Sequence, residues 1–365
     1  MSFRIKTRLL IALVILPVVL LAGPPQALAV GSILVVKGEA VIVCDGAEIR
    51  PAPGMIIREG DVIRTGKTGE VSIEITGGYI MVVKPDSELQ ADELGAEKEE
   101  LRSVMLYSGM VYVRGNPSER GKKPPRFQLQ TPAAVAGVRG TEFAVAVAPD
   151  GSVMVGVEEG RVEVETDEGE TVNLVMRESV EVDPDKKGPL QVAEYLPERD
   201  KIENWLSKRQ QMVLAHPLPA AKRLTTNLNR TITKAEQLLE EANKMTEFII
   251  REAQMAERKR ARGQTPLYMR HKTRVMAALP RLVVKVRTLI LLDNRIQARG
   301  RMLAWLVRES NTPGSPTPQK TQIALKKHQT AFDALKVRSD NLHAGRIKLL
   351  RERIPVLRDS VKYLK

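Results

Sequence analysis

The hydrophobic pattern of this chain changes period about halfway along. Between residues 31 and 182 apolar and polar positions alternate in short runs, as in Val71-Ser72-Ile73-Glu74-Ile75 and Val162-Glu163-Val164-Glu165. Period 2 is the mark of strands with one face on a core and the other in water. Gly77-Gly78 separates the first run from Tyr79-Ile80-Met81-Val82-Val83, which predicts a hairpin. Further strands are predicted over 33–36, 40–44, 103–113, 127–130, 141–147, 153–157, 172–175 and 180–182. Short strands separated by Gly, Asp and Pro argue for an all-β sandwich, barrel or solenoid. No alternation of strand and helix is present in this half.

After the Pro-Asp-Lys-Lys-Gly-Pro segment at 184–189 the step becomes three or four residues. Leu224, Leu228, Ile232, Ala235, Leu239, Ala242, Met245 and Ile249 form one stripe, which predicts a helix over 219–262 that stops at Gly263. A second helix is predicted over 266–309, with Pro280 as a kink, and a third over 321–364, with Pro355 as a local defect. The Pro-rich stretch 311–318 between them reads as a loop. Helices of this length extend about 66 Å at 1.5 Å per residue. Short connections make them antiparallel neighbours in an elongated three-helix bundle. A shorter helix near 202–214 bridges the two halves, and Trp205 and Trp305 read as packing anchors. The expected fold is therefore multidomain, β followed by α. It comprises a β domain over 30–183, a linker and bridging helix over 184–218, and a basic bundle over 219–365.

The first 29 residues differ from both halves. Arg4, Lys6 and Arg8 precede an apolar run from Leu9 to Ala22 and the small-x-small triplet Ala27-Leu28-Ala29. That arrangement reads as a secretory signal peptide with cleavage after Ala29. The alternative is an uncleaved anchor, although the run is interrupted by Pro17 and falls short of the ~20 residues that span a bilayer. The expected location is periplasmic or secreted.

Charge sharpens the division. The 365 residues carry 57 Lys and Arg against 44 Asp and Glu, a formal charge of +13. Residues 30–200 hold 19 basic and 31 acidic groups, whereas 201–365 hold 35 basic and 13 acidic. The basicity therefore belongs to the helical half. Aromatic content of 4% leaves few rings to stack bases, so nucleic acid is not the expected partner. Arg258, Lys259, Arg260 and Arg262 at a predicted helix end are a candidate contact for anionic lipid or cell-wall polymer, although cations at a helix C-terminus also favour the dipole. The basic bundle could equally pack on the acidic domain of its own chain or of a second copy in a homo-oligomer.

No constellation for catalysis emerges. The chain lacks His-Glu-x-x-His, Gly-x-Ser-x-Gly and the phosphate loop. His216, His271, His328 and His343 are isolated along the helical half, and the single Cys44 reads as a small apolar core residue. Acids such as Glu97, Glu99, Glu100, Asp167, Glu168 and Glu170 read as solvated turns. A carbohydrate-active enzyme would need an acidic pair facing a cleft. No enzyme activity, cofactor or metal is expected.

Four blocks of the β half carry a resemblance. They are Gly60-Asp61-Val62-Ile63-Arg64-Thr65-Gly66, then Leu106-Tyr107-Ser108-Gly109-Met110-Val111, then Thr131-Pro132-Ala133-Ala134-Val135-Ala136-Gly137-Val138-Arg139-Gly140-Thr141-Glu142-Phe143, and finally Val157-Glu158-Glu159-Gly160-Arg161-Val162. In this order they resemble the FecR domain, over roughly residues 31–183. The founding members are inner-membrane regulators with a cytoplasmic anti-sigma segment, one membrane helix and a periplasmic portion. Eight residues before the apolar run are too few for such a segment, so the resemblance carries over the extracytoplasmic module alone. It implies an exported binding, sensing or scaffold protein of the envelope whose β domain meets a protein or glycan. The alternative is a membrane-anchored signalling regulator. Gly137 and Gly140, flanking Val138-Arg139, are expected to allow a tight turn or bulge, with Pro132 fixing its start and Arg139 pairing with an acid or turn carbonyls.

Overall fold

The computed structural model describes residues 29–44, 46–75, 78–91, 101–115, 126–138, 141–166, 169–183, 189–194 and 199–364. Residues 1–28 of the expected signal peptide, Arg139 and Gly140 of the third block, the acids at 97–100 and 167–168, and the turn at 184–188 lie outside the described residues.

Among the described residues seventeen strands form two layers, A and B, that share one long strand. The first nine are β1 (Ala29–Lys37), β2 (Ala40–Cys44), β3 (Ala47–Ile49), β4 (Ile56–Arg58), β5 (Val62–Thr65), β6 (Glu70–Ile75), β7 (Tyr79–Val83), β8 (Glu88–Ala91) and β9 (Leu101–Gly115). The others are β10 (Arg126–Gln130), β11 (Ala134–Val138), β12 (Glu142–Val147), β13 (Val153–Glu159), β14 (Arg161–Thr166), β15 (Thr171–Val175), β16 (Glu178–Val182) and β17 (Val192–Glu194). Layer A has the order β4-β1-β6-β7-β9-β12-β13-β16-β17. Layer B has the order β3-β2-β5-β8-β9-β10-β11-β14-β15. All pairs are antiparallel except β9 with β10. The chain visits the layers alternately while advancing from one edge to the other, which combines a sandwich with solenoid-like progression.

The passage of β9 between layers explains one of the sequence blocks. In its first half Val104 and Leu106 point into the interior core and Met105 and Tyr107 point outward. In its second half Val111 and Val113 are interior and Met110 and Tyr112 are outward. The alternation thus slips by one residue, and a slip of one exchanges the faces of a strand. Gly109, at φ +89°, is the residue that absorbs it. A Cβ there would lie 2.2 Å from Ser87 Oγ and 2.5 Å from Ser87 Cα. Only glycine fits both conformation and space.

β12 shows how the helical half attaches. Phe143, Val145 and Val147 face the interior, whereas Ala144, Ala146 and Ala148 form a smooth outer surface. On that surface lies helix α1 (Arg199–Ala215), through Ile202, Leu206 and Trp205. Helix α2 (Pro217–Ala261) follows, then α3 (Thr265–Ser310) and α4 (Gln319–Lys348), a π-helical turn at Leu349–Arg353, and α5 (Ile354–Val361). The expected third helix is therefore continuous in course but changes winding just before Pro355, whose missing N–H removes one helical bond. α3 runs through Pro280. Ala298 of α3 packs on Met105 and Tyr107, so α3 covers layer B as α1 covers layer A. Ala220, Ala221 and Leu224 of α2 and Met302, Leu303 and Leu306 of α3 join the same core as the strands. Trp305 packs against that core, so both tryptophans serve as packing groups.

The rest of the bundle has its own core, including Ile232, Ile249, Leu282, Leu289 and Leu342. Buried Asp293 of α3 holds α4 by two contacts, His343 Nδ1 at 2.7 Å and Arg346 Nε at 2.8 Å. His271 similarly meets Glu252 at 2.8 Å. Two of the four histidines are thus paired, a correction to the expectation of isolated rings. Their partners lie 50 and 19 positions away in sequence, beyond any local pattern. The segment expected as a plain linker also supplies β17, which pairs with β16. Among the described residues no helix is long and apolar enough to cross a membrane, and no cluster of His, Cys, Asp and Glu could hold a metal ion.

Candidate functional site: the cleft between the β layers and the helices

The first and third sequence blocks set the turns that hold the layers in register. Gly60 takes φ +89°, and Asp61 Oδ2 accepts the Arg58 N–H at 2.8 Å, closing the turn into β5. Thr65 Oγ1 accepts the Ser87 N–H at 2.9 Å and donates to the Lys84 carbonyl at 2.6 Å. Ser87 Oγ in turn accepts the Met110 N–H at 2.9 Å beside Gly109. Gly66 donates its N–H to the Glu39 carbonyl at 2.7 Å. These residues stitch both layers together where β9 crosses. They are structural pegs with little surface.

Thr131 and Pro132 start β11. Thr131 Oγ1 accepts the Ala134 N–H at 2.9 Å and lies 2.7 Å from the Ala134 carbonyl, an ST-type turn. Gly137 is the fourth residue of β11, paired with Gln128 of β10 and Glu163 of β14, and the rest of the expected turn, Arg139 and Gly140, lies outside the described residues. Thr141 is buried just before β12, where its carbonyl accepts the Gly115 N–H at 3.3 Å.

The third block is also where a helix arrives. Arg299 of α3 donates to the Pro132 carbonyl at 3.1 Å and to Thr231 Oγ1 of α2 at 2.5 Å. Asn294 of α3 reaches Gln130 Oε1 at 3.4 Å. Gln130 itself donates to Ser103 Oγ at 2.8 Å. A few residues on, Arg301 pairs with Glu88 and lies over the Tyr107 ring, 4.2 Å from its centroid. Arg64 meets the same Glu88 at 2.8 Å.

On the other layer Arg209 of α1 is the hub. Its Nε donates to Asp150 Oδ2 at 2.8 Å, and one terminal nitrogen donates to Asp183 Oδ2 at 2.8 Å and Ser152 Oγ at 2.7 Å. Its other terminal nitrogen is 3.5 Å from Glu181. Arg223 of α2 adds a bond to the Asp150 carbonyl at 3.2 Å. Burial works against the Arg209 charge, but Asp183 and Asp150 outweigh it and hold the guanidinium above its usual pKa. The acidic and basic halves therefore meet each other. Sequence reasoning missed this hub, since nothing local distinguishes Arg209 from the other basic residues of the helices.

Between these two attachments lies a cleft of about 860 Å³. Its sheet wall carries Ala133 of the third block with Met154, Thr166, Glu170, Ser179, Glu181, Asp183 and the 189–193 segment. Its helix wall carries Asn227, Arg230, Thr231 and Lys234 of α2 with Leu292, Arg295 and Arg299 of α3. The carboxylates on the sheet wall already have donors: Glu181 and Asp183 meet Arg209, and Glu170 accepts the Leu190 N–H at 2.7 Å. Arg230 and Lys234 are exposed on the opposite wall. Arg258, Lys259, Arg260 and Arg262 lie elsewhere, at the far end of α2.

Residues 61–163 match the family model described as FecR protein. No curated protein matches the chain. Two crystal structures, at 2.50 and 1.65 Å, of a Parabacteroides distasonis protein proposed as an anti-sigma factor are similar at 20% identity and a TM-score of 0.32. The similarity covers 40% of this chain and 63% and 64% of those chains, less than two thirds of either. From the turn at Asp61 to the middle of β14, then, the layered body clasped by the helices matches the FecR family model.

Proposed function

We propose that this is a non-enzymatic, exported binding or scaffold protein of the cell envelope, in which the FecR domain and its helical clasp together receive a partner. The observation that carries the reading is the cleft, about 860 Å³ and walled on one side by the last strands of the β half, with Ala133 and Met154 of the FecR match, and on the other by basic helices. That volume lies within the ~300–1,000 Å³ of ordinary binding sites. Its lining has charges of both signs and no aromatic ring, the face on which sugar rings stack. A charged segment of a protein fits it better than a glycan. A catalytic acid pair needs carboxylates free to exchange protons with a substrate, and Glu181 and Asp183 are committed to Arg209.

Export rests on the apolar N-terminal segment with its small-x-small triplet. Val30, the first residue after the proposed cleavage point, is 4% exposed within β1. N-terminal sequencing of the mature protein tests this, with Val30 as the expected start and Met1 as the result that favours an anchor. The binding reading is tested by capture from envelope extracts. A protein retained by the wild type and lost on Arg230→Glu with Lys234→Glu is expected, and equal retention by both would remove the cleft from the account.

A further inference from the structure

The far end of the α2–α3 hairpin takes no part in the clasp. Glu252 of α2, 2.8 Å from His271 Nδ1 and 3.4 Å from Arg274, sets the register in which α3 returns alongside α2. Gly263 closes the hairpin at φ +67° with open space around it. At 1.5 Å per residue the closing loop lies about 40 Å beyond Lys234, at the margin of the cleft.

Two properties coincide at this end. Between 255 and 276 there are seven arginines and lysines, Arg258, Lys259, Arg260, Arg262, Arg270, Lys272 and Arg274, against one acid, Glu257. In the same stretch Met255, Leu267, Met269 and Met276 are exposed at 36%, 39%, 49% and 54%. Helix-end cations alone follow from the dipole of α2, but the N-terminal turns of α3 are where that dipole disfavours cations. Of the basic residues there, Arg274 meets Glu252 and Lys272 lies over the Tyr268 ring, while Arg270 adds to the exposed positive surface that the α2 end begins. Flexible apolar side chains set among the cations make this end amphipathic rather than purely charged.

We propose that this hairpin end docks on an anionic lipid surface, its cations on the phosphates and its methionines and leucine in the headgroup–acyl boundary. Charge complementarity selects the partner, since amphipathic surfaces that pair basic with apolar side chains bind anionic bilayers by both terms. Nucleic acid fits less well. Tyr268 is packed against the bundle core with Lys272 at 6.0 Å from its ring centre, so it offers bases no platform. A purely ionic polymer would leave the four exposed apolar groups without a role.

The test is co-sedimentation of the protein from Val30 onward with vesicles of phosphatidylcholine containing 30% phosphatidylglycerol, and with phosphatidylcholine alone. Binding to the anionic vesicles is expected at least tenfold tighter, and Arg258→Ala with Lys259→Ala and Arg262→Ala is expected to remove most of that preference. A Leu267→Trp variant reports depth: its fluorescence should be quenched by lipids brominated on the acyl chain. Its signal is read as the difference from the parent, which carries Trp205 and Trp305. Equal binding to neutral and anionic vesicles, no loss in the triple variant, or binding without acyl-chain quenching would each overturn the proposal. All the substituted side chains are exposed or half-buried, so thermal unfolding of the variants should match the parent and separates a binding defect from misfolding. The outcome is independent of what occupies the cleft.

Discussion

Replacing Arg209 by methionine removes the group on which the α1 attachment turns. The Arg209 side chain is 17% exposed, and its two closest carboxylates, Asp150 and Asp183, are 5% and 8% exposed. Methionine keeps most of the apolar stem, so the loss is electrostatic. Removing one partner of a buried ion pair typically costs about 3–5 kcal/mol, because the remaining charge stays desolvated. Arg223, 3.5 Å from Asp150, remains and compensates in part, which places the expected cost near the lower end, about 3 kcal/mol. At ~2 °C per kcal/mol for a body of this size, the midpoint of thermal unfolding should fall by on the order of 6 °C. Urea unfolding followed by circular dichroism measures the cost directly. Adding Asp150→Asn and Asp183→Asn to the variant should recover at least half of it, since the asparagines remove both buried carboxylate charges and leave Arg223 its bond to the Asp150 carbonyl. The Asp150→Asn change also keeps a side-chain carbonyl to accept the Ser152 N–H, a bond of 3.0 Å in the parent. A loss under about 0.5 kcal/mol, the range of ordinary surface substitutions, or no recovery in the triple variant, would refute the reasoning.

Three other substitutions probe the remaining links. Gly109→Ala meets both a left-handed backbone and the Ser87 clash, so a loss of about 3 kcal/mol or an insoluble product is expected, against no change if β9 crosses by another route. Ala146→Glu places a charge under Ile202, Leu206 and Trp205; α1 should undock, read as a red shift of Trp205 emission and proteolysis within 199–215, with the β layers still folded. The Glu70 carboxyl is held below its usual pKa, first by the hydrogen bond from Lys37 at 3.0 Å, with burial opposing, and further by Lys84 at 3.2 Å. A depressed pKa contributes stability above the unfolded value of ~4.3 that disappears as pH falls through the lower folded value. Glu70→Gln should therefore destabilise at pH 7 and converge with the parent as acid is added, and a gap unchanged at pH 3 would contradict this.

The strongly periodic elements were legible in the sequence, and the reasons are local. Six residues of β6 and six of β14 carry three full alternations each, and the α2 stripe runs for seven turns. β3, β4 and β17 have three residues each, too few for any period to show. The slip in β9 was hidden because the runs on both sides of Ser108-Gly109, residues 104–107 and 110–113, are apolar at every position and show no period. Ala144, Ala146 and Ala148 read as ordinary small residues until α1 is seen lying on them. The site depended still more on tertiary distance. Arg209 finds Asp150 and Asp183 across 59 and 26 positions, and Arg299 finds Pro132 across 167. Charge counting showed that the halves were opposite in sign, yet only packing decides whether opposite charges meet each other or separate partners. Arg209, Arg223, Arg299 and Arg301 face the β layers, while the cations of the hairpin end lie away from them.

The claim on which the whole account rests is that the helical half clasps the FecR domain. Zero-length carbodiimide coupling tests it most directly, because Lys84 of the β half and Glu203 of α1 stand 3.4 Å apart, within reach of an amide bond. Mass spectrometry of the monomeric product should show the Lys84–Glu203 link alongside the bundle's own Lys285–Glu241 link, a contact that serves as the internal control. Recovery of the bundle link without the link between the halves would contradict the clasp.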